Sequence, residues 1–130
     1  MEISTQMLNH VGLITVKGRV DSVEATRLEQ ALEAASRRGM HWLVIDMSQI
    51  EYMSSAGFRA LASAQRNSKR HNQGEVILAQ PPPLVHEALE LVGFTNYFRI
   101  IDPVAAALQY AENSSAGVFG ADARTASSEA

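Results

Sequence analysis

Two short, unbroken apolar runs, Trp42-Leu-Val-Ile45 and Val76-Ile-Leu-Ala79, constrain this chain more than any other feature. A strand with one wet face alternates apolar and polar residues, whereas a strand apolar at every position is covered on both faces, as in a parallel sheet. Parallel neighbours need crossover connections, and helical patterns lie where the crossovers should be. Ala25, Leu28, Ala31, Leu32 and Ala35 recur at helical spacing, with Glu24, Arg27, Glu29 and Glu33 between them. Ser22 reads as the N-cap of that helix and Gly39 as its stop. A second helix is predicted from about Ser55 to Arg70, with Phe58, Leu61, Ala62 and Gln65 on one face and Arg59, Arg66, Lys69 and Arg70 elsewhere. Pro81-Pro-Pro83 opens a third from about Leu84 to Val92, closed by Gly93.

The ends of the chain complete the pattern. Residues 2–8 and Leu13–Lys17 read as two strands joined across the turn Asn9-His10-Val11-Gly12. Gly18-Arg-Val-Asp21 reads as the end of the second strand, and the apolar run from Trp42 as a strand bounded by Asp46. Phe98–Ile101 makes a last short strand, and Asp102 caps a final helix from Pro103 to about Glu112. The predicted fold is α/β: a mixed, mostly parallel sheet of about five strands with about four helices, the first strand antiparallel. The domain spans residues 1–112. Residues 113–130 are small and polar, with only Val118 and Phe119 as apolar anchors, and are expected to form a mobile tail.

Composition removes several function classes. The chain of 130 residues has a net charge of −3, without the basic excess of a nucleic-acid binder. No apolar run approaches the roughly 18 residues needed to cross a bilayer, and Met-Glu-Ile-Ser-Thr-Gln does not resemble a signal peptide. The expectation is therefore a cytoplasmic protein, with neither nucleic acid nor membrane as partner. With no cysteine, disulfides, thiolate catalysis and zinc-thiolate sites are excluded. His10, His41, His71 and His86 are not spaced as a metal pair, and no phosphate-binding Gly-x-x-x-x-Gly-Lys loop is present. No metal, cofactor or catalytic residue is expected.

The stretch Asp46-Met-Ser-Gln-Ile-Glu-Tyr-Met-Ser-Ser-Ala-Gly-Phe-Arg-Ala-Leu61 carries the functional signal. It reads as a strand end, a short loop and the first turn of a helix, with Ser54 and Ser55 side by side at the helix start. Free N–H groups and the helix dipole favour negative charge at such a point. A hydroxyl there either caps the helix or carries a phosphate. One serine suffices to cap, and there are two. A serine-hydrolase elbow is half matched by Ser55 and Gly57, but Met53 stands where the first glycine belongs.

Three segments in order give the chain a family likeness. They are Gly18-Arg-Val-Asp21 before the first helix, Val44-Ile-Asp-Met-Ser48 leading to Tyr52-Met-Ser-Ser-Ala-Gly57, and Gly93-Phe94 through Phe98-Arg-Ile100 with Ala105 to Leu108. Over residues 1–112 the chain resembles the STAS family, named for sulphate transporters and anti-sigma factor antagonists, and most of all the small antagonists. The family motif is Asp-Ser-Ser-Gly or Asp-Ser-Thr-Gly, and its first hydroxyl residue is phosphorylated by a partner kinase with a histidine-kinase-like ATPase fold. Aligned on the glycine, the acceptor is Ser55, with Ser54 in place of the aspartate as second choice and Ala56 in place of the second hydroxyl.

The resemblance implies an anti-sigma factor antagonist without enzymatic activity. Unphosphorylated, it would bind a serine kinase acting as anti-sigma factor and free that partner's client; phosphate on Ser55 would break the complex. A metal-dependent serine phosphatase would restore it. The expected partner surface is Asp21, Ser22, Tyr52, Met53, Ser54, Ser55, Gly57, Arg59 and Arg66. The alternative implied by the family is a STAS module that is never phosphorylated, such as a transporter-associated subunit. A response-regulator reading of Asp46 fails, because only Asp21 and Arg99 fall near the paired acids and lysine that such a fold requires.

Overall fold

The computed structural model describes residues 1–70 and 74–115. In chain order the elements are β1 (Glu2–Leu8), β2 (Val11–Val20), α1 (Glu24–Arg37), β3 (Trp42–Met53), α2 (Ser55–Arg70), β4 (Glu75–Ala79) and α3 (Pro83–Leu91), then a 3-10 turn at Phe94–Asn96 and β5 (Arg99–Ile101). A last helix, α4, takes residues 104–115. The five strands lie in the order β1-β2-β3-β4-β5. β1 runs antiparallel to β2, and every other pair is parallel. This is the expected architecture. Of the predicted tail, residues 113–115 continue α4, and residues 116–130 lie outside the described residues, as does His71.

The apolar runs split by parity, as strands covered on both faces must. Ile14, Val16, Leu43, Ile45, Met47, Val76 and Leu78 point to one side, where they meet Ala25, Leu28, Leu32, Phe58, Leu61, Val85 and Leu89 of α1, α2 and α3. Val11, Trp42, Val44, Ile77 and Ala79 point to the other side, where Ala107 and Ala111 of α4 cover them. Phe94 packs edge-on against Phe58 with ring centroids 5.8 Å apart and lies 5.2 Å from Phe98, seating the 3-10 turn on α2. Gln65 is fully buried on the apolar face of α2. Its Nε2 donates to the Tyr97 carbonyl at 3.0 Å, and its Oε1 accepts from Val76 N–H at 2.7 Å.

The structure corrects the expected boundaries of β2 and β3. The hairpin turn is Asn9-His10 alone, with Asn9 at φ 57, so β2 begins at Val11 rather than Leu13. Asparagine tolerates the left-handed region, which lets the turn be that tight. β3 does not stop at Asp46; it runs to Met53, and the expected loop is strand. Beyond Asp46 it pairs with β2 only, since its register with β4 ends at Asp46↔Ala79. A ribbon without a neighbour on its far side keeps polar residues, so no apolar run marks it. Between Gly18, at φ 93, and Arg19 the register shifts by one residue, passing over Glu51 of β3, so that Arg19↔Tyr52 and Val20↔Met53 pair beyond it.

Both expected caps move as well. The first-turn amide of Glu24 is taken by Asp21 Oδ1 at 2.8 Å and that of Ala25 by the Asp21 carbonyl at 2.9 Å, so Asp21, not Ser22, caps α1. At α4, Val104 N–H donates to Gln80 Oε1 at 3.1 Å, a role expected of Asp102. Asp102 precedes a cis proline, Pro103, while Gln80 is fixed beside the helix start by its own N–H to the Ile101 carbonyl at 2.9 Å.

Candidate functional site

The extension of β2 and β3 past the rest of the sheet decides where the two serines sit. Val20 and Met53 are register partners, and one residue further on Ser54 N–H donates to the Val20 carbonyl at 2.8 Å. The turn at residues 21–23 and the start of α2 therefore lie side by side. Asp21 and Ser22 are exposed there, and Val23, which lies outside the apolar set of α1, is 78% exposed.

The two hydroxyls are divided by this geometry. Ser54 is only 8% exposed. Its carbonyl accepts the first helical bond, from Phe58 N–H at 3.1 Å, and its Oγ accepts from Gly57 N–H at 3.4 Å, the pattern of an N-cap. Ser55 is the first residue of α2 and is exposed. The first turn of α2 contains no acidic residue, so the positive end of the helix dipole beside Ser55 is not offset from within its own helix.

Gly57 and Met53 act beneath this surface rather than on it. Both are buried, a correction to the expectation that they face a partner. A Cβ on Gly57 would lie 2.6 Å from Met53 Cγ and 3.2 Å from Val20 Cγ1, so only glycine lets the first turn of α2 settle onto the β2–β3 ribbon. Of the remaining expected contacts, Tyr52 is 43% exposed, with the Arg19 guanidinium 4.6 Å from its ring centroid. Arg59 and Arg66 are exposed on α2. At 100° per residue, Ser55, Arg59 and Arg66 fall within about 40° of one another around the helix, forming one stripe.

Two exposed members of this surface were not anticipated. Arg19 becomes visible only once β3 is known to extend far enough to bring Tyr52 opposite it. Val23 could have been found, since an apolar residue off the helical stripe is a signal in itself. Among the described residues, no group of three or more His, Cys, Asp or Glu side chains is placed to hold a metal ion. Among them too, no helix is long and apolar enough to cross a membrane. Asp46 is occupied within β3, its Oδ1 accepting from Ser48 N at 3.0 Å and Ser48 Oγ at 2.7 Å.

Residues 2–107 match the family model described as the STAS domain. The chain belongs to the STAS domain family. This STAS domain is 30% identical over 107 residues to BtrV of Bordetella bronchiseptica, a candidate anti-sigma factor antagonist by name, with 82% of this chain and 91% of BtrV covered. It is similar to the solved structure of an anti-sigma factor antagonist from Mycobacterium paratuberculosis, with TM-score 0.75 and 25% identity over 85% of this chain and 93% of that one. It also shares the fold of the Bacillus cell fate determinant SpoIIAA, solved in its phosphorylated form, with TM-score 0.66 and 14% identity over 84% and 99% of the two chains.

Proposed function

We propose that this STAS domain is an anti-sigma factor antagonist whose partner surface is switched by phosphate on Ser55. The observation that carries the reading is the division of labour between adjacent hydroxyls. Ser54 is buried and engaged in capping, while Ser55 is exposed at the first position of α2. A kinase of the histidine-kinase-like ATPase type would transfer the γ-phosphoryl group of ATP to Ser55 Oγ, which loses its proton as ADP departs. A metal-dependent phosphatase would return the hydroxyl. The names of BtrV and of the mycobacterial structure support the antagonist role.

The physical effect of the phosphate falls on the partner. It adds about −1.5 to −2 charges and three acceptor oxygens. At the N-terminus of α2 that charge is locally favourable, by about 0.3 to 1 kcal/mol, and Arg59 lies one turn along the same stripe. The domain therefore keeps its fold. A partner packed over Ser55, Tyr52 and Val23 must instead desolvate a new anion beside the exposed carboxylate of Asp21. Peptide mass spectrometry after incubation with the cognate kinase and ATP tests the assignment: phosphate is expected on Ser55, and phosphate confined to any other residue, Ser54 included, contradicts it.

A further inference from the structure

The two edges of the sheet differ in character. β5 is short, Arg99–Ile101, and charged; Arg99 pairs with Glu75 at 3.2 Å, stacks on Tyr110, and is followed closely by Pro103. Short, charged, proline-flanked edges resist pairing with other strands. β1, Glu2–Leu8, has none of these protections: it contains no lysine, proline or glycine, and its one charge, Glu2, is at its end. Six of its seven residues are uncharged, and Met7 is 48% exposed.

Register fixes which of its backbone groups face outward. Leu8 and Val11 flank the two-residue turn, so they exchange both hydrogen bonds, and the pattern alternates from there. Glu2, Ser4, Gln6 and Leu8 therefore turn their N–H and C=O groups towards β2. Ile3, Thr5 and Met7 turn theirs away. The side chains of these three share the sheet face that carries α1, where Ile3 packs against the main core.

We infer that β1 is a self-association edge, and that a second copy of this chain pairs with it antiparallel about Thr5. In that register Thr5 faces Thr5 of the other copy, Ile3 faces Met7, Ser4 faces Gln6 and Glu2 faces Leu8. Each outward donor meets an outward acceptor. Ile3 covers the exposed Met7, and the one charge of each strand meets an apolar residue rather than its like. A foreign strand finds no charge pattern here by which to be selected, whereas the antiparallel image of β1 matches it position by position. The joined sheet would run through five strands of each copy, and the pairing touches neither Ser54 nor Ser55. It stands or falls separately from the phosphate switch.

Sedimentation velocity of the full chain from about 1 μM to about 1 mM tests this directly. The mass is expected to rise with concentration from the 14.1 kDa of one chain to twice that value. Thr5→Pro removes an outward donor while sparing the β1–β2 ladder, a position where an edge strand accepts proline. Thr5→Lys places two like charges opposite each other at the axis. Both variants are expected to stay at the mass of one chain, with wild-type circular dichroism and melting temperature. A wild type of single-chain mass throughout overturns the inference, whether or not another protein's strand is captured at this edge. So does a dimer of undiminished affinity in either folded variant.

Discussion

The backbone N–H of Ser54 donates to the carbonyl of Val20 over 2.8 Å, fastening the start of α2 to the end of β2. This bond sets the α1 turn beside the phosphoacceptor candidate and assigns the two serines different work. Ser54 is held in the structure; Ser55 is presented to solvent.

Alanine substitutions should separate the two serines by their effect on stability alone. Ser54→Ala removes a buried cap and should cost about 1 kcal/mol, within the 0.5 to 2 kcal/mol range for caps. Ser55→Ala removes an exposed hydroxyl and should change stability by less than about 0.5 kcal/mol. Urea unfolding of both variants measures the difference. Equal losses would show that Ser54 is not the cap.

Gly57→Ala sets two effects against each other. Helix propensity favours alanine by about 0.8 to 1 kcal/mol. The new Cβ would stand 2.6 Å from Met53 Cγ, and overpacking of this kind costs about 1 to 3 kcal/mol. The clash should win. The helix start should shift, with destabilisation and altered amide chemical shifts at Ser54 and Ser55 in a heteronuclear NMR spectrum. A more stable variant with an unmoved spectrum would contradict this account of the motif glycine.

Gln65 ties α2 to the beginning of β4 and to the residue before Phe98. Gln65→Leu keeps the volume but strands the Val76 N–H and the Tyr97 carbonyl. A buried group left without its partner costs about 1 to 3 kcal/mol, and a loss of about 2 to 4 kcal/mol is expected for the two together. Thermal unfolding measures it, and a melting temperature within about 2 °C of wild type would show that the amide is not holding these elements.

Phosphorylation itself should leave the domain at least as stable as before. The phosphate sits where the α2 dipole favours it, so the melting temperature should stay level or rise slightly, and any gain should shrink in high salt. Arg59→Ala should reduce that gain by removing the cation four residues along. A marked fall in melting temperature on phosphorylation would mean that the switch works by unfolding instead.

The strands and helices covered by the core were legible in the sequence because their burial writes a period into it. Val76–Ala79 and Trp42–Ile45 are apolar throughout because α-helices cover both faces. The distal ribbon of β3 was not legible, since Gln49 and Tyr52 pair with β2 yet remain exposed. Caps were misassigned where more than one polar residue was available: Asp21 rather than Ser22, and Gln80, distant in sequence, rather than Asp102. At the candidate site, the motif falls on the junction of β3 and α2. What no local pattern could supply was the packing of Met53 under Gly57, which depends on how far two strands extend together.

The central claim is that charge on Ser55 controls partner binding, and titration calorimetry with the cognate anti-sigma factor addresses it most directly. Ser55→Ala should bind as the unphosphorylated wild type does. The Ser55-phosphorylated protein should bind at least about tenfold more weakly, a difference of about 1.4 kcal/mol. Equal affinity of the phosphorylated protein and Ser55→Ala would contradict the account.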